Sequence, residues 1–292
     1  MEKFYNEDFL KQLQRLSLRT KKLKAGIQQG ERRSPRKGHS VEFADFRSYS
    51  LGDDVRYIDW NSYARSEKLF IKLFVEEQDL LLNIFMDTSQ SMDWGQPSKS
   101  RLAKQIAGAF AYMALSAYDQ VAIAACSEHL YSYQPPLGGR NALRKVWGFL
   151  DALPVIGSTR LSDSIKEFGP FSRRPGVSLI ISDLLSPHDF KEGLKYLQYL
   201  KQEVILLQIL APDELSPVLH GDWRLLDSES KEIREISINT ALLKAYEKKI
   251  REFTAETREF CHRRGMAFIQ ICSDELLEDI ILRSMPRAGI LG

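Results

Sequence analysis

Apolar positions along this chain fall into two patterns: short blocks that are apolar almost throughout, and longer stretches in which apolar residues recur at helical spacing. Leu80 to Asp87, Gln120 to Cys126, Val177 to Asp183, Glu203 to Leu210 and Ala267 to Cys272 are blocks of the first kind and predict buried β-strands. His129 to Tyr133 predicts a short strand close enough to the second block to form an antiparallel hairpin. Between the strands the spacing predicts helices at about Arg101 to Tyr118, with Ser98 or Ser100 as cap, at about Asn141 to Leu153, at Leu161 to Phe168, at about Asp189 to Lys201, and at about Thr240 to Arg264. Continuous apolar strands alternating with helices predict an α/β fold: a doubly wound, mostly parallel sheet with helices on both faces.

The flanking segments read differently. Asn6 to about Ile27 carries Phe9, Leu10, Leu13, Leu16 and Leu23 at helical spacing with Asn6 as N-cap, which predicts an amphipathic helix. Residues 28–40 are polar and rich in breakers, so 1–40 reads as an N-terminal basic helix and linker. Residues 41–78 alternate aromatics with charges and have no long clean period. The α/β domain then occupies 79–292, with an excursion at 211–236 that contains a hairpin around Asp227 to Ser230, and a tail from Asp274 that reads as a short helix and a loose end.

Composition narrows the function classes. With 43% hydrophobic and 27% charged residues the chain is an ordinary globular protein, and a formal charge of +2 gives no global argument for nucleic acid. Locally, Lys11, Arg15, Arg19, Lys21, Lys22, Lys24, Arg32, Arg33, Arg36 and Lys37 are opposed only by Glu31, making a basic arm. Three scattered cysteines, with no Cys-x-x-Cys, point to a reducing compartment. The acidic start Met1 to Asp8 is not a signal peptide, and the uncharged stretch Gln105 to Tyr118 is short of a bilayer span. The expectation is a soluble, cytoplasmic protein.

Chemistry concentrates where the first apolar block ends, at Asp87-Thr88-Ser89-Gln90-Ser91. Alternate positions of a tight loop can turn Asp87, Ser89 and Ser91 toward one centre, and an oxygen-only set of this kind suits a hard divalent cation. In a doubly wound sheet, ligands collect at the carboxyl ends of the strands, where Gly157-Ser158-Thr159 and Ser182-Asp183 bring further oxygens. Helix capping alone is the competing explanation of the Asp and serines. The five residues Asp87, Ser89, Ser91, Thr159 and Asp183 resemble the metal-ion-dependent adhesion site of von Willebrand factor A-type domains. That resemblance implies Mg2+ or Mn2+ held by Ser89, Ser91 and Thr159 directly or through water, and by Asp87 and Asp183 chiefly through water. The family's usual Gly after the last Asp is Leu184 here.

A second resemblance covers the preceding segment. Arg47, Tyr49, Gly52, Asp53, Asp54, Arg56, Asp59, Trp60, Ala64 and Arg65, followed by Leu69 and Lys72, resemble the signature of the DUF58 family of bacterial proteins, which carry this motif just before a von Willebrand A-type domain. The resemblance implies a signature segment, 41–78, packed on the core of a von Willebrand A-like domain. Many relatives have N-terminal membrane spans, and this chain resembles the branch without them. It further implies a protein partner, a MoxR-type AAA+ ATPase or its client, in the assembly or maturation of other proteins. Physically, Arg47, Arg56 and Arg65 alternating with Asp53, Asp54 and Asp59 suggest a salt-bridge network anchoring the segment, with Trp60 as an apolar plug.

The expected role is therefore non-catalytic, metal-dependent protein binding, with a partner's acidic residue docking on the metal. A phosphoesterase-like hydrolase using Asp87 is the rival enzyme, but that chemistry wants a second acid two residues later, where Ser89 stands. Nucleic-acid or membrane-surface binding would rest on the basic arm, which lacks interleaved aromatics for base stacking. His129 and His188 suit an oxygen-rich site poorly. Trp94 fits either the rim of the site or burial against the following helix.

Overall fold

In the structure, a computed structural model that describes residues 5–19, 41–76, 79–172, 174–219, 221–226 and 233–292, the apolar blocks are strands and the periodic stretches are helices. The order is α1 (Glu7–Leu13), β1 (Val41–Ser48), α2 (Trp60–Ser66), β2 (Phe70–Glu76), β3 (Leu81–Asp87), α3 (Lys99–Ser116), β4 (Gln120–Cys126), β5 (Leu130–Gly138), α4 (Leu143–Ala152), α5 (Leu161–Phe168), β6 (Gly176–Ser182), α6 (Lys191–Tyr199), β7 (Gln202–Leu210), α7 (Pro212–Leu215), β8 (Gly221–Leu226), β9 (Ile233–Ile238), α8 (Thr240–Arg263) and β10 (Ala267–Cys272). The chain divides into two units, Met1–Leu23 with Leu80–Gly292, and Lys24–Asp79.

In the larger unit a six-stranded sheet has the order β10-β7-β6-β3-β4-β5, parallel throughout except for the antiparallel edge strand β5. The chain steps from β3 to β4 in one direction and then returns to add β6, β7 and β10 on the other side. The strand order thus reverses between β3 and β6, and such a switch point opens a crevice at the strands' carboxyl ends.

Both faces of β3 are covered, which explains its uninterrupted apolar run. Leu82, Ile84 and Met86 pack with Ile106 and Phe110 of α3 and Trp147 and Leu150 of α4, whereas Phe85 points into a second cluster with Leu161, Ile165 and Phe168 of α5 and Leu194 of α6. The edge strand β5 runs to Gly138, beyond the expected Tyr133, through Pro135 and Pro136. Prolines are tolerated there because β5 is an edge strand and its register shifts at these two residues, between Gln134 and Leu137, so neither owes an amide to β4.

Two expectations change. The first helix stops at Leu13 instead of about Ile27, although Asn6 caps it by accepting from the Phe9 amide at 2.7 Å. Beyond it, Ser17 and Gly292 exchange backbone hydrogen bonds at 2.9 and 3.0 Å, so tertiary pairing with the C-terminus overrides the helical period. The tail is no loose end: Leu277, Ile280, Ile281, Met285, Ile290 and Leu291 all join the core, beside Phe9 and Leu13. Residues 41–78, which lack a clean period, supply an antiparallel pair, β1 with β2, and the short helix α2.

The expected hairpin in the excursion is present as β8 paired antiparallel with β9. Its turn, Asp227 to Ser230, lies outside the described residues, as do the linker 28–40 and the basic-arm residues Lys21, Lys22, Lys24, Arg32, Arg33, Arg36 and Lys37. Among the described residues, no helix is long and apolar enough to cross a membrane.

Candidate metal and partner-binding site

Asp87 is the last residue of β3, and burial holds it at the switch point. Its carboxylate is a hub. Oδ1 accepts from the Thr159 hydroxyl at 2.6 Å and from the Ser89 amide at 2.9 Å, and Oδ2 accepts from the Ser182 hydroxyl at 2.5 Å. Burial and the nearby charge of Asp183 push the Asp87 carboxyl above the usual carboxylate range, while these three donors act in the opposite sense.

The loops around Asp87 are fastened backbone to backbone. The Ile156 amide donates to Thr88 O at 2.7 Å and the Gln90 amide donates to Gly157 O at 3.0 Å. Gly157 has φ 69°, a left-handed conformation that lets the loop turn Thr159 inward without a Cβ penalty. Ser89 Oγ and Ser91 Oγ lie 3.0 Å apart.

Asp183 follows the end of β6 and is also buried. Its carbonyl accepts from Gln208 Nε2 at 3.1 Å, and the Gln208 oxygen in turn accepts from Thr254 of α8 at 3.3 Å. Leu184, the residue where a Gly is usual, is buried with φ 61°. The loop shape that glycine would adopt freely is therefore kept by a leucine whose burial offsets the strain.

All five site residues from the sequence thus gather at the strand ends, Asp87 bonding Ser89 and Thr159 directly. Two neighbours were not anticipated as site members: Lys99 and Glu214. The Lys99 ammonium is fully buried, 2.7 Å from Asp183 Oδ2 and 2.5 Å from Glu214 Oε1. Burial raises the Glu214 carboxyl above its ordinary range, against the pull of Lys99. A lysine at a helix start opposes the macrodipole, and that was the available sequence signal.

The donor chemistry fits a hard cation. Among the described residues no group of three or more His, Cys, Asp or Glu gathers to hold a metal, so a cation here needs the hydroxyls. Ser89 Oγ and Ser91 Oγ, hydrogen-bonded to each other at 3.0 Å, are close enough to face one small cation together. Three half-exposed apolar side chains stand on the same loops: Trp94 (57% exposed), Ile156 (37%) and Leu185 (36%). Of the two options for Trp94, exposure favours the rim. His129 is an exposed partner of Glu167, at 3.2 Å, as expected of a surface histidine.

In the smaller unit the charged residues of the signature make local contacts. Arg47 grips Asp53 with two hydrogen bonds of 2.7 Å, which holds the Asp53 carboxyl below the usual range, and Arg56 pairs with Asp54 at 2.5 Å. Asp59 caps α2, accepting from the Asn61 amide at 3.3 Å and the Ser62 hydroxyl at 2.6 Å, and Arg65 lies in the last turn of that helix. The Tyr49 amide donates to Leu69 O at 2.9 Å, and Gly52 takes φ 105° in the turn before Asp53. Trp60 is no plug: it is 61% exposed, set edge-on to Tyr63.

The chain is 25% identical over 288 residues to the uncharacterized protein Rv1480 of Mycobacterium tuberculosis, covering 96% of this chain and 90% of that one. Among solved structures it is similar to the conserved hypothetical protein BatB from Bacteroides thetaiotaomicron, at 13% identity and a TM-score of 0.43 over 72% of this chain and 98% of that one. It is likewise similar to the SpRpn10 VWA domain, at 13% identity and a TM-score of 0.39 over 70% of this chain and 94% of that one. Residues 45–256 match the family described as protein of unknown function DUF58, a span that takes in Arg47 to Arg65 and the whole of the site, and the chain belongs to that family.

Proposed function

We propose that the protein is a non-catalytic, metal-dependent protein-binding module whose partner presents an acidic side chain to the Asp87, Ser89, Ser91, Thr159 and Asp183 site. The observation that carries this reading is the convergence of hydroxyls on one buried carboxylate at the switch point: Thr159 bonded to Asp87 at 2.6 Å, with Ser89 and Ser91 Oγ 3.0 Å apart. Ser89, Ser91 and Thr159 would hold Mg2+ or Mn2+, backed by Asp87 and Asp183. Bound there, the cation would supply a positive centre for a carboxylate from outside.

The chain's own residues do the rest of the work. Asp87 fixes the three hydroxyl-bearing loops in register, and Trp94, Ile156 and Leu185 offer apolar surface around the opening, as a protein contact needs. Where a phosphoesterase wants its second acid, Ser89 hydrogen-bonds Ser91, so proton transfer to a leaving group has no donor at that position. The partner of this proposal is a MoxR-type AAA+ ATPase or its client. The setting is the cytoplasm, a reducing compartment that suits the free thiols of Cys126, Cys261 and Cys272.

The test is association of the purified protein with a MoxR-type ATPase from the same cell, measured for parent, Thr159→Ala and Asp87→Asn at constant Mg2+ and nucleotide. Holding the conditions fixed keeps the ATPase's own metal requirement out of the comparison. Loss of binding in both folded variants supports the proposal, and parent-like binding by both rejects it.

A further inference from the structure

Lys99 is costly where it stands. Its side chain has no exposed surface, it begins α3, and the helix macrodipole disfavours a cation at that end. Two carboxylates compensate, and each is held by a second bond: Asp183 Oδ1 accepts from the Leu185 amide at 3.0 Å, and Glu214 Oε2 from the Ala211 amide at 2.7 Å. The seat for the ammonium is therefore rigid. The loop that delivers Lys99 presses on the start of α7, since Gly95 has φ 94° and a Cβ there would come within 2.8 Å of the Ala211 Cβ.

One wall of this seat belongs to the candidate cation site and the other does not. Asp183 is the distant Asp of the five-residue set, whereas Glu214 lies on α7, outside it. We propose that the Lys99 ammonium is a built-in counter-ion of the cation site: it holds Asp183 in position when no divalent cation is bound and, by competing for that carboxylate, keeps cation affinity low. The inference rests on the reading of Asp87, Ser89, Ser91, Thr159 and Asp183 as a cation site.

The physical basis is charge. An ammonium and a divalent cation that both act on Asp183 repel each other, so fixing the first weakens the second. Glu214 sets the balance, because it shares the ammonium. Without the Glu214 charge, Lys99 bears on Asp183 alone and the cation is held less well. Asp183 thus keeps a charged partner in the metal-free protein, and the site does not have to be assembled by the metal.

Mg2+ titration calorimetry on the full chain, with thermal melts in the presence and absence of Mg2+, tests this on parent, Lys99→Met, Glu214→Gln and Asp87→Ala. Lys99→Met should bind Mg2+ roughly tenfold more tightly than parent. Its metal-free melting temperature should fall below parent's and recover on adding Mg2+. Glu214→Gln should bind more weakly than parent. If Lys99→Met binds no better than parent while Asp87→Ala abolishes parent's binding, the cation site stands and Lys99 is a structural ion pair only. If neither parent nor Lys99→Met binds, both the inference and the site reading fall; binding by Lys99→Met alone supports both. Should Lys99→Met not fold, unchanged affinity in Glu214→Gln overturns the inference.

Discussion

Thr159 Oγ1 donates to Asp87 Oδ1 at 2.6 Å, joining loops 72 residues apart in the chain. The bond orients the threonine hydroxyl so that its lone pairs stay available while its proton is used, and it locks the loop before α5 onto the end of β3. Thr159→Ala leaves Asp87 one donor short in a buried setting, at a cost of about 1–2 kcal/mol. Chemical denaturation should show that loss together with weaker Mg2+ binding, and Thr159→Ser should restore both. Full Mg2+ affinity in Thr159→Ala would remove this residue from the ligand set.

Leu184 separates two effects that act against each other. Glycine would relieve the left-handed strain, about 1–2 kcal/mol, but would empty a buried pocket worth about 3 kcal/mol. Leu184→Gly should therefore be less stable than parent by about 1–2 kcal/mol in urea unfolding. A stabilised variant would mean that strain, not burial, governs the loop.

Phe9 tests the N-terminal helix. It is buried beside Leu13 and stacks with Tyr5, which in turn stacks on Trp147 at 5.2 Å. Phe9→Ala should destabilise the protein by about 3–5 kcal/mol in denaturant unfolding. A variant that unfolds with parent would show that residues 5–13 are an appendage and not part of the core.

The charged pairs of the smaller unit should matter far less. Arg56 and Asp54 sit at the surface, 65% and 32% exposed, so Arg56→Ala should melt with parent. Asp59→Ala removes the cap of α2 and should cost about 1 kcal/mol. A large drop in the Arg56→Ala melting temperature would mark the pair as part of a larger charge network.

How much of this was legible in sequence depended on whether one element's own pattern carried the information. The parallel strands could be read because burial on both faces leaves no polar alternation, and the cluster around Asp87 could be read because Asp87 ends β3 and Asp183 follows β6. β1, β2 and α2 could not, since a two-stranded antiparallel pair imposes no long apolar run of its own. Lys99 escaped because a lysine near a helix start ordinarily faces solvent, and its partners Asp183 and Glu214 are brought to it only by the β6 and β7 crossovers. The buried tail was missed for a related reason: Ile290 and Leu291 follow Arg287, Ala288 and Gly289 and reveal their role only where Ile290 accepts from the Arg19 amide and Leu291 bridges to Leu18.

The central claim is that hydroxyls and carboxylates at the β3–β6 switch point bind a divalent cation. Titration of Mg2+ into the metal-free protein, parent against Asp87→Ala, tests it most directly. The account predicts weak binding by parent, with a Kd of roughly 0.1–1 mM, and none by an Asp87→Ala variant that retains its fold. Equal affinity in the two proteins, or no binding at saturating Mg2+ by parent and by Lys99→Met alike, would contradict it.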